Sequence, residues 1–210
     1  MYGASCRGWY LLRLLGHTNV QVLDGGWRKW LAESRPVCTQ PEVAVNTTPY
    51  VARLDKALWA DYDDVKGSLA SSQTGSGATL LDVRDLVEWE GHSSSPYGVN
   101  FAPRMGRLVG AKHIEWYDFM EPTAHADVHV FKQPEAIRQL LKERAGLATV
   151  DPIILYCFKG ARAANSLAAL KAAGFENVRV YFASWNEWSR VIGAAIDEAK
   201  VGAPPPPKDD

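Results

Sequence analysis

Two fifteen-residue segments of this 210-residue chain repeat one another without a gap, 158 positions apart. Residues 16–30 and 174–188 share six identities: the first glycine, an Asn-Val pair, a further valine and two tryptophans. Each segment follows an amphipathic helix pattern, and its glycine fits the end of that helix. Each then reads as a short strand and a new helix start, and chance similarity between two such units is the less favoured interpretation. The repeat therefore predicts two related α/β units.

The pattern between the two copies alternates strands with helices, which predicts a mainly parallel sheet covered by helices on both faces. Residues 38–46 lack helical periodicity and lie among prolines, so we interpret them as a linker. Residues 1–37 then form part of a first unit, residues 47–200 form a complete unit, and residues 201–210 form a disordered proline-rich tail. Predicted strands cover residues 50–53, 79–83, 111–114 and 152–156, and predicted helices cover 56–69, 85–89, 134–143 and 163–170.

Charge and composition exclude several classes of function. The chain carries 23 Lys and Arg against 24 Asp and Glu, so no overall basic surface for nucleic acid is expected. Its longest apolar run, residues 153–158, is far shorter than the roughly 20 residues that cross a bilayer. Arg7 and Arg13 interrupt the N-terminal apolar residues, which argues against secretion. Three cysteines without a CxxC pair argue against disulfides and structural zinc. We expect a soluble protein of the cytoplasm or of an organelle such as a mitochondrion or plastid.

Chemically reactive residues gather where the most apolar strand ends. Residues 153–156 lead into Cys157, and Phe-Lys-Gly-Ala-Arg follows before a helix begins. Ligands bind at the carboxyl ends of parallel strands, and the amides of a tight loop that opens a helix point inward at an anion. Such a loop beside Lys159 and Arg162 would stabilise the thiolate of Cys157 and make it a nucleophile. The alternative is that Cys157 is a buried structural cysteine. The Gly160 turn and the two cations favour a reactive cysteine.

Five motifs in order resemble those of the rhodanese-like sulfurtransferases, in particular the tandem-domain thiosulfate and 3-mercaptopyruvate group. The resemblance covers most of the chain, and it implies an α/β, rhodanese-like three-layer fold with a central mainly parallel sheet and helices on both faces. The motifs are the Asp-x-Arg strand at residues 80–85, the segment 88–91, the Gly-rich segment 106–114, the cysteine loop 157–162, and the second repeat copy at 174–188.

The resemblance implies that Cys157 accepts a sulfane sulfur as a persulfide from a small anionic donor such as thiosulfate. The sulfur then passes to cyanide or a thiol, with no cofactor and no metal. Lys159 would bind the oxyanion end of the donor, whereas Arg162 has three open roles: donor binding, lining the loop, or capping a helix turn. Asp82 and Arg84 are expected to organise the strand end through hydrogen bonds. The other substrate-binding positions implied by the loop are Phe158, Gly160 and Ala161.

Two features depart from the family pattern. Glu88 stands where the tandem enzymes carry a substrate-binding arginine, and a carboxylate there would repel an anionic donor unless it faces away. Arg104 or Arg107 would then substitute. The first repeat copy resembles only the last helices and strand of a non-catalytic domain, so Cys6 is expected to be a bystander.

Two other functions fit parts of the sequence. A related phosphatase fold wraps phosphate with a Cys-x5-Arg loop, but four residues separate Cys157 from Arg162, and this smaller ring suits a single sulfur atom. A non-catalytic binding or structural subunit is the second, because the apolar faces of residues 7–33 need a partner surface. That surface is the catalytic unit, a second copy in a homodimer, or another protein of a larger assembly. His125 and His129 are expected to be a solvated pair and not metal ligands.

Overall fold

Short strands alternate with helices along the part of the chain that the computed structural model describes, residues 2–41, 48–72 and 77–198. The helices are long enough to cover the sheet, but none of them is long and apolar enough to cross a lipid bilayer. The strands are β1 (Trp59–Ala60), β2 (Thr79–Asp82), β3 (Arg107–Leu108), β4 (Lys112–His113), β5 (Met120–Pro122), β6 (His129–Phe131), β7 (Ile153–Tyr156), β8 (Val178–Tyr181) and β9 (Ile196–Asp197). The helices are α1 (Tyr2–Leu14), α2 (Gly26–Ala32), α3 (Tyr62–Ser72), α4 (Leu86–Trp89), α5 (Pro134–Ala145), α6 (Ala161–Ala172) and α7 (Ser184–Trp188).

The central sheet has the order β1-β8-β7-β2-β4, and each of its pairings is parallel. Two small antiparallel pairs, β3 with β9 and β5 with β6, lie beside it. Every residue of β7 is buried, as expected for a strand with neighbours on both edges and helices on both faces. The carboxyl end of β7, where Cys157 follows, is therefore the middle of the sheet edge at which ligands bind.

Successive residues of β7 point into two separate apolar cores, one on each face of the sheet. Ile153 and Leu155 join the core that holds α1, α5 and α6, whereas Ile154 and Tyr156 join the core that holds α3 and α7. This alternation follows from the two-residue period of a strand. It gives the three layers, helices on both sides of a parallel sheet, that the sequence predicts.

The secondary structure predicted for residues 50–69 is partly wrong. Residues 50–53 are not a strand. The backbone N–H groups of Arg53 and Asp55 instead donate to the carbonyls of Leu15 and Leu14, at the end of α1, at 2.9 and 2.7 Å. The helix predicted over 56–69 is divided. A single 3-10 turn (Lys56–Leu58) precedes β1, because Trp59 pairs with Val180 of β8, and α3 begins at Tyr62. The other predicted strands and helices stand within about two residues of their predicted positions. The predicted tail lies outside the described residues, as does most of the predicted linker.

The repeat is a shared backbone geometry. Gly16 and Gly174 both take a left-handed conformation, with φ of 88° and 86°, and so do Gly26 and Ser184, with φ of 58° and 57°. Only the second copy contains a strand, because β8 has neighbours to pair with, whereas residues 20–23 of the first copy form none. The two copies thus share turns and helix starts, and tertiary pairing decides which of them becomes part of the sheet.

Helix α1 packs against α6. Cys6, Tyr10 and Leu14 follow a four-residue spacing that places them on one side of α1, and all three are buried in the core beneath it. The Tyr10 ring stacks on Phe182 with centroids 5.5 Å apart, and its hydroxyl donates to the carbonyl of Leu58 at 3.3 Å. The partner surface that the apolar face of α1 requires is therefore supplied by the same chain.

Candidate active site

The loop after β7 turns tightly around the thiol of Cys157. The backbone N–H of Gly160 donates to Sγ of Cys157 at 3.1 Å, and the thiol itself is buried. Gly160 makes the turn possible, because it takes φ of 80° and a Cβ there would collide with the ring of Phe182. Helix α6 starts directly after it, so the sulfur faces the amide end of that helix.

Residues of helix α7 are hydrogen-bonded to the backbone of this loop. The N–H of Cys157 donates to Oγ of Ser184 at 3.1 Å, and the Ser184 hydroxyl donates to the carbonyl of Tyr181 at 2.7 Å. The amides of Trp185 and Asn186 donate to the carbonyls of the cysteine and the residue after it, each at 3.1 Å. Ser184 is fully buried at a positive φ. Sequence reasoning missed it, and the signal that could have found it is the glycine at the matching position of the first repeat copy.

Arg162 is held by carboxylates. Its guanidinium donates to both oxygens of Glu88, at 2.5 and 3.0 Å, and lies 3.1 Å from the carboxylate of Asp85. Burial raises the pKa of Glu88 despite this pair, whereas the two carboxylates raise the pKa of Arg162 against the effect of its own burial. Glu88 therefore faces Arg162 and does not present a free negative charge to a donor. Of the three roles open to Arg162, the geometry favours lining and bracing the loop.

Lys159 projects from the same loop and is exposed. Its ammonium lies 5.1 to 5.3 Å from the ring centroids of Tyr97, Phe101 and Phe158, within the range of cation–π attraction. Among the described residues, Lys159 forms no ion pair. Its charge is therefore not cancelled by a carboxylate, in contrast to that of Arg162.

The loop forms the base of a pocket of about 700 Å³. Cys157, Phe158, Lys159, Ala161 and Arg162 all line it, so the structure brings these predicted residues together. The opposite wall comes from elements far away in the sequence, which local patterns did not connect with the loop. These elements contribute Ala4 and Arg7 from α1, Arg28 from α2, the aromatic side chains Tyr97, Trp116 and Tyr117, and Asp127 and His129 near the β5–β6 hairpin.

Asp82 and Arg84 form a fully buried ion pair at the end of β2. The guanidinium donates to both carboxylate oxygens, with the shortest contact 2.6 Å, and to the carbonyl of Gly106 at 2.7 Å. Burial would raise the pKa of Asp82, but Arg84 outweighs it and holds that pKa below its usual value. The guanidinium also lies over the rings of Tyr156 and Trp185, 5.6 and 4.5 Å from their centroids. This geometry supports the predicted organising role.

Neither Arg104 nor Arg107 replaces the missing substrate-binding arginine. Arg104 donates to four carbonyls, that of the last residue of α7 and three that follow this helix, at 2.9 to 3.0 Å. Arg107 pairs with Asp197 of β9 at 2.6 Å and donates to the carbonyl of Trp89. Both side chains therefore hold loops in place. The further arginines that line the pocket are Arg7 of α1 and Arg28 of α2.

Cys6, Cys38 and His125 lie outside the pocket that contains Cys157. Cys6 donates to Oδ1 of Asn165 at 3.4 Å, and burial raises the pKa of its thiol to about 12, which agrees with a bystander. Within the described ranges, no three His, Cys, Asp or Glu side chains gather into a metal site. His125 is exposed, whereas His129 lines the pocket.

The chain is a three-layer α/β protein whose cysteine loop lies between the central parallel strand and a helix, at the sheet edge where ligands bind. A profile of the rhodanese-like domain matches residues 63–191, and the chain belongs to that family. The matched range contains the cysteine loop, the buried pair of β2 and α7.

Named relatives are similar over most of the chain. It is 32% identical over 206 residues to a thiosulfate sulfurtransferase of Corynebacterium glutamicum, which covers 94% of this chain and 65% of that relative. It is 30% identical over 204 residues to the sulfur carrier protein TtuD of Thermus thermophilus, covering 93% and 69%. The rat thiosulfate sulfurtransferase is 30% identical over 187 residues, covering 88% and 58%. The chain thus spans about two thirds of the length of these relatives, or less.

The solved structures that resemble the chain support its fold. The structure of EanB with a substitution and bound ergothioneine superposes with a TM-score of 0.80 at 21% identity, covering 96% of this chain and 46% of that one. Unsubstituted EanB gives a TM-score of 0.78 at 22% identity, covering 95% and 45%. At such identities the likeness concerns the arrangement of strands and helices alone.

Proposed function

We propose that this protein is a sulfurtransferase that carries a sulfane sulfur as a persulfide on Cys157. The donor is a small anion such as thiosulfate, and the acceptor is cyanide or a thiol. The observation that carries the proposal is the position of the Cys157 thiol, which receives a hydrogen bond from the Gly160 amide in a pocket. Four cations, Arg7, Arg28, Lys159 and Arg162, and two carboxylates, Asp85 and Asp127, line that pocket. Relatives named thiosulfate sulfurtransferase and sulfur carrier protein support the same chemistry.

The reaction consists of two displacements at sulfur. The Cys157 thiolate attacks the outer sulfur of thiosulfate, the S–S bond breaks, and sulfite leaves with the bonding electron pair. The acceptor then attacks the terminal sulfur of the persulfide, the new S–S bond breaks, and the thiolate returns. With cyanide the product is thiocyanate. Each step exchanges one sulfur between nucleophiles, so no external oxidant or reductant takes part.

Each group of the pocket has a distinct part in these steps. The Gly160 amide donates to Sγ of Cys157, and so stabilises the thiolate that attacks the donor in the first displacement and leaves in the second. The ammonium of Lys159 and the guanidinium of Arg7 attract the oxygens of the donor. Phe158 and Ala161 line the apolar part of the pocket, which suits a large and polarisable sulfur. Asp82 and Arg84 position the strand end and touch no substrate.

The alternatives are less well supported. A phosphatase needs its loop arginine to bind phosphate, but here Glu88 already accepts from both terminal nitrogens of the Arg162 guanidinium. A non-catalytic subunit has no physical need for a thiol that receives an amide hydrogen bond beside an uncompensated lysine.

The mass of the intact protein after thiosulfate treatment tests the proposal. We expect a gain of one sulfur atom that cyanide removes, present in the unaltered protein and absent from Cys157→Ala. Cys38→Ala is the matched control, because Cys38 is an exposed free thiol that the pocket does not contain. It is expected to gain and lose the sulfur normally. If thiosulfate, 3-mercaptopyruvate and an organic thiosulfonate all leave the mass unchanged, the proposal is refuted and the non-catalytic subunit is favoured.

A further inference from the structure

Three aromatic rings surround the ammonium of Lys159 at the pocket. We call Tyr97, Phe101 and Phe158 the aromatic clamp. Their ring centroids lie 5.2, 5.3 and 5.1 Å from Nζ, and Tyr97 is tilted against both other rings, with centroids 5.7 and 5.4 Å away. Tyr97 lines the pocket together with Lys159 and Cys157.

The clamp orients a charge without cancelling it. A lysine has a flexible four-carbon stem and a compact charge, so it samples many positions unless a contact fixes it. A carboxylate would fix it but would also neutralise it, as Glu88 does for Arg162. The negative face of an aromatic ring attracts the ammonium and adds no net charge. Lys159 therefore keeps its whole positive charge available to a donor.

The loop that carries Tyr97 and Phe101 is built to hold them in place. Oγ of Ser95 accepts from the N–H of Tyr97 at 3.1 Å and donates to the carbonyl of Gly98 at 3.2 Å. The N–H of Phe101 donates to the same carbonyl at 3.1 Å, and Arg190 donates to the carbonyl of Phe101. The two rings remain 60% and 46% exposed, so core packing does not explain their presence.

We propose that Tyr97 and Phe101 are positioning residues that make the enzyme prefer doubly charged sulfur donors, by holding the Lys159 ammonium at the mouth of the Cys157 pocket. The inference rests on the proposed function, because it concerns the donor of the same transfer. On this inference the loop before β3, which carries Tyr97 and Phe101, takes part in the selection of the donor together with Lys159.

The first test compares two donors that react by the same displacement. Thiosulfate carries two negative charges and releases sulfite, whereas methanethiosulfonate carries one and releases a sulfinate. Tyr97→Leu and Phe101→Leu are expected to raise KM for thiosulfate roughly three- to tenfold, the range of a partly exposed cation–π contact. The rise is smaller for methanethiosulfonate, and kcat stays within about twofold. Tyr97→Phe keeps the ring and is expected to behave as the unaltered protein.

A second comparison separates positioning from a merely structural role. In Lys159→Met the clamp has no charge to hold, so adding Tyr97→Leu is expected to cause no further rise in KM for thiosulfate. A rise as large as in the unaltered background would mean that Tyr97 acts by another route, and it would overturn the inference.

Sulfite binding, measured by titration calorimetry, tests the clamp without any sulfur transfer. The expected result is weaker sulfite binding by Tyr97→Leu and Phe101→Leu but not by Tyr97→Phe. If the unaltered protein forms no persulfide and these differences still appear, the proposed function fails and the clamp stands. If the persulfide forms and both leucine variants bind sulfite and use thiosulfate as before, the clamp is wrong and the proposed function stands.

Discussion

Ser184 gives the sharpest test of how the cysteine loop is held. Its hydroxyl accepts from the N–H of Cys157 at 3.1 Å and donates to the carbonyl of Tyr181 at 2.7 Å, and the residue is fully buried. In Ser184→Ala the buried N–H loses its partner, which costs about 1–3 kcal/mol, and the second bond is worth about 1 kcal/mol. We therefore expect the free energy of unfolding to fall by about 2–4 kcal/mol.

Ser184→Gly isolates the backbone contribution at this position. Both variants lose the hydroxyl, but glycine also removes the Cβ that is strained at φ of 57°, as Gly26 does at φ of 58° in the first repeat copy. Glycine is expected to be about 1 kcal/mol more stable than alanine here, the reverse of the order in an ordinary helix. Urea unfolding followed by tryptophan fluorescence measures both values, since Trp185 is adjacent. An alanine variant as stable as the unaltered protein would refute the hydrogen-bond argument, and a glycine variant less stable than alanine would refute the strain argument.

Two further predictions concern the buried charges around the site. Glu88→Gln leaves Arg162 without its main countercharge and is expected to lower the free energy of unfolding by about 3 kcal/mol. The exposed Glu135→Gln should change it by less than about 1 kcal/mol in the same urea titration, and equal effects of the two variants would contradict the reasoning. Asp82 has a pKa held below its usual value because Arg84 outweighs the effect of burial, so its stabilisation is present above the unfolded pKa of about 4 and is lost as pH falls through the folded one. The unaltered protein should therefore lose more stability than Asp82→Asn between about pH 6 and pH 3, and parallel pH profiles would count against this assignment.

Local patterns were sufficient for the cysteine loop. The apolar run of β7, the glycine turn and the following helix are encoded by consecutive residues, so Cys157, Lys159 and Gly160 could be assigned a common place without any tertiary information. The organising role of Asp82 and Arg84 was expected from the resemblance of residues 80–85 to the Asp-x-Arg motif, whereas their burial as an ion pair was not predicted.

Contacts between distant segments were not predictable in the same way. Glu88 and Arg162 are 74 residues apart, and the charge of each, read alone, suggested either repulsion of a donor or its binding. Their pairing favours one of the alternatives that the sequence left open for each residue: Glu88 faces Arg162, and Arg162 lines the loop. Residues 50–53 have the composition of a strand but lie against the end of α1. The N–H of Arg53 donates there to the carbonyl of Leu15, one of the carbonyls that a helix end leaves without a partner. In each case a partner far away in the sequence decided what the local pattern left open.

The two repeat copies place equivalent tryptophans in different surroundings. Trp185 of the second copy is fully buried under the sheet, whereas Trp27, its equivalent, is 56% exposed. Helix α1 is anchored by Cys6, Tyr10 and Leu14, so residues 2–33 need no second protein to stay attached, and they supply two arginines to the pocket. A homodimer or larger assembly through residues 7–33 stays a prediction, as does the origin of residues 1–37 in a first domain. Because the tryptophan that closes one core is exposed in the other copy, Trp27 is one residue that such an assembly would be expected to cover. The other large apolar side chains of residues 7–33 that are exposed are Leu11, Leu12, Leu15, Leu23 and Leu31.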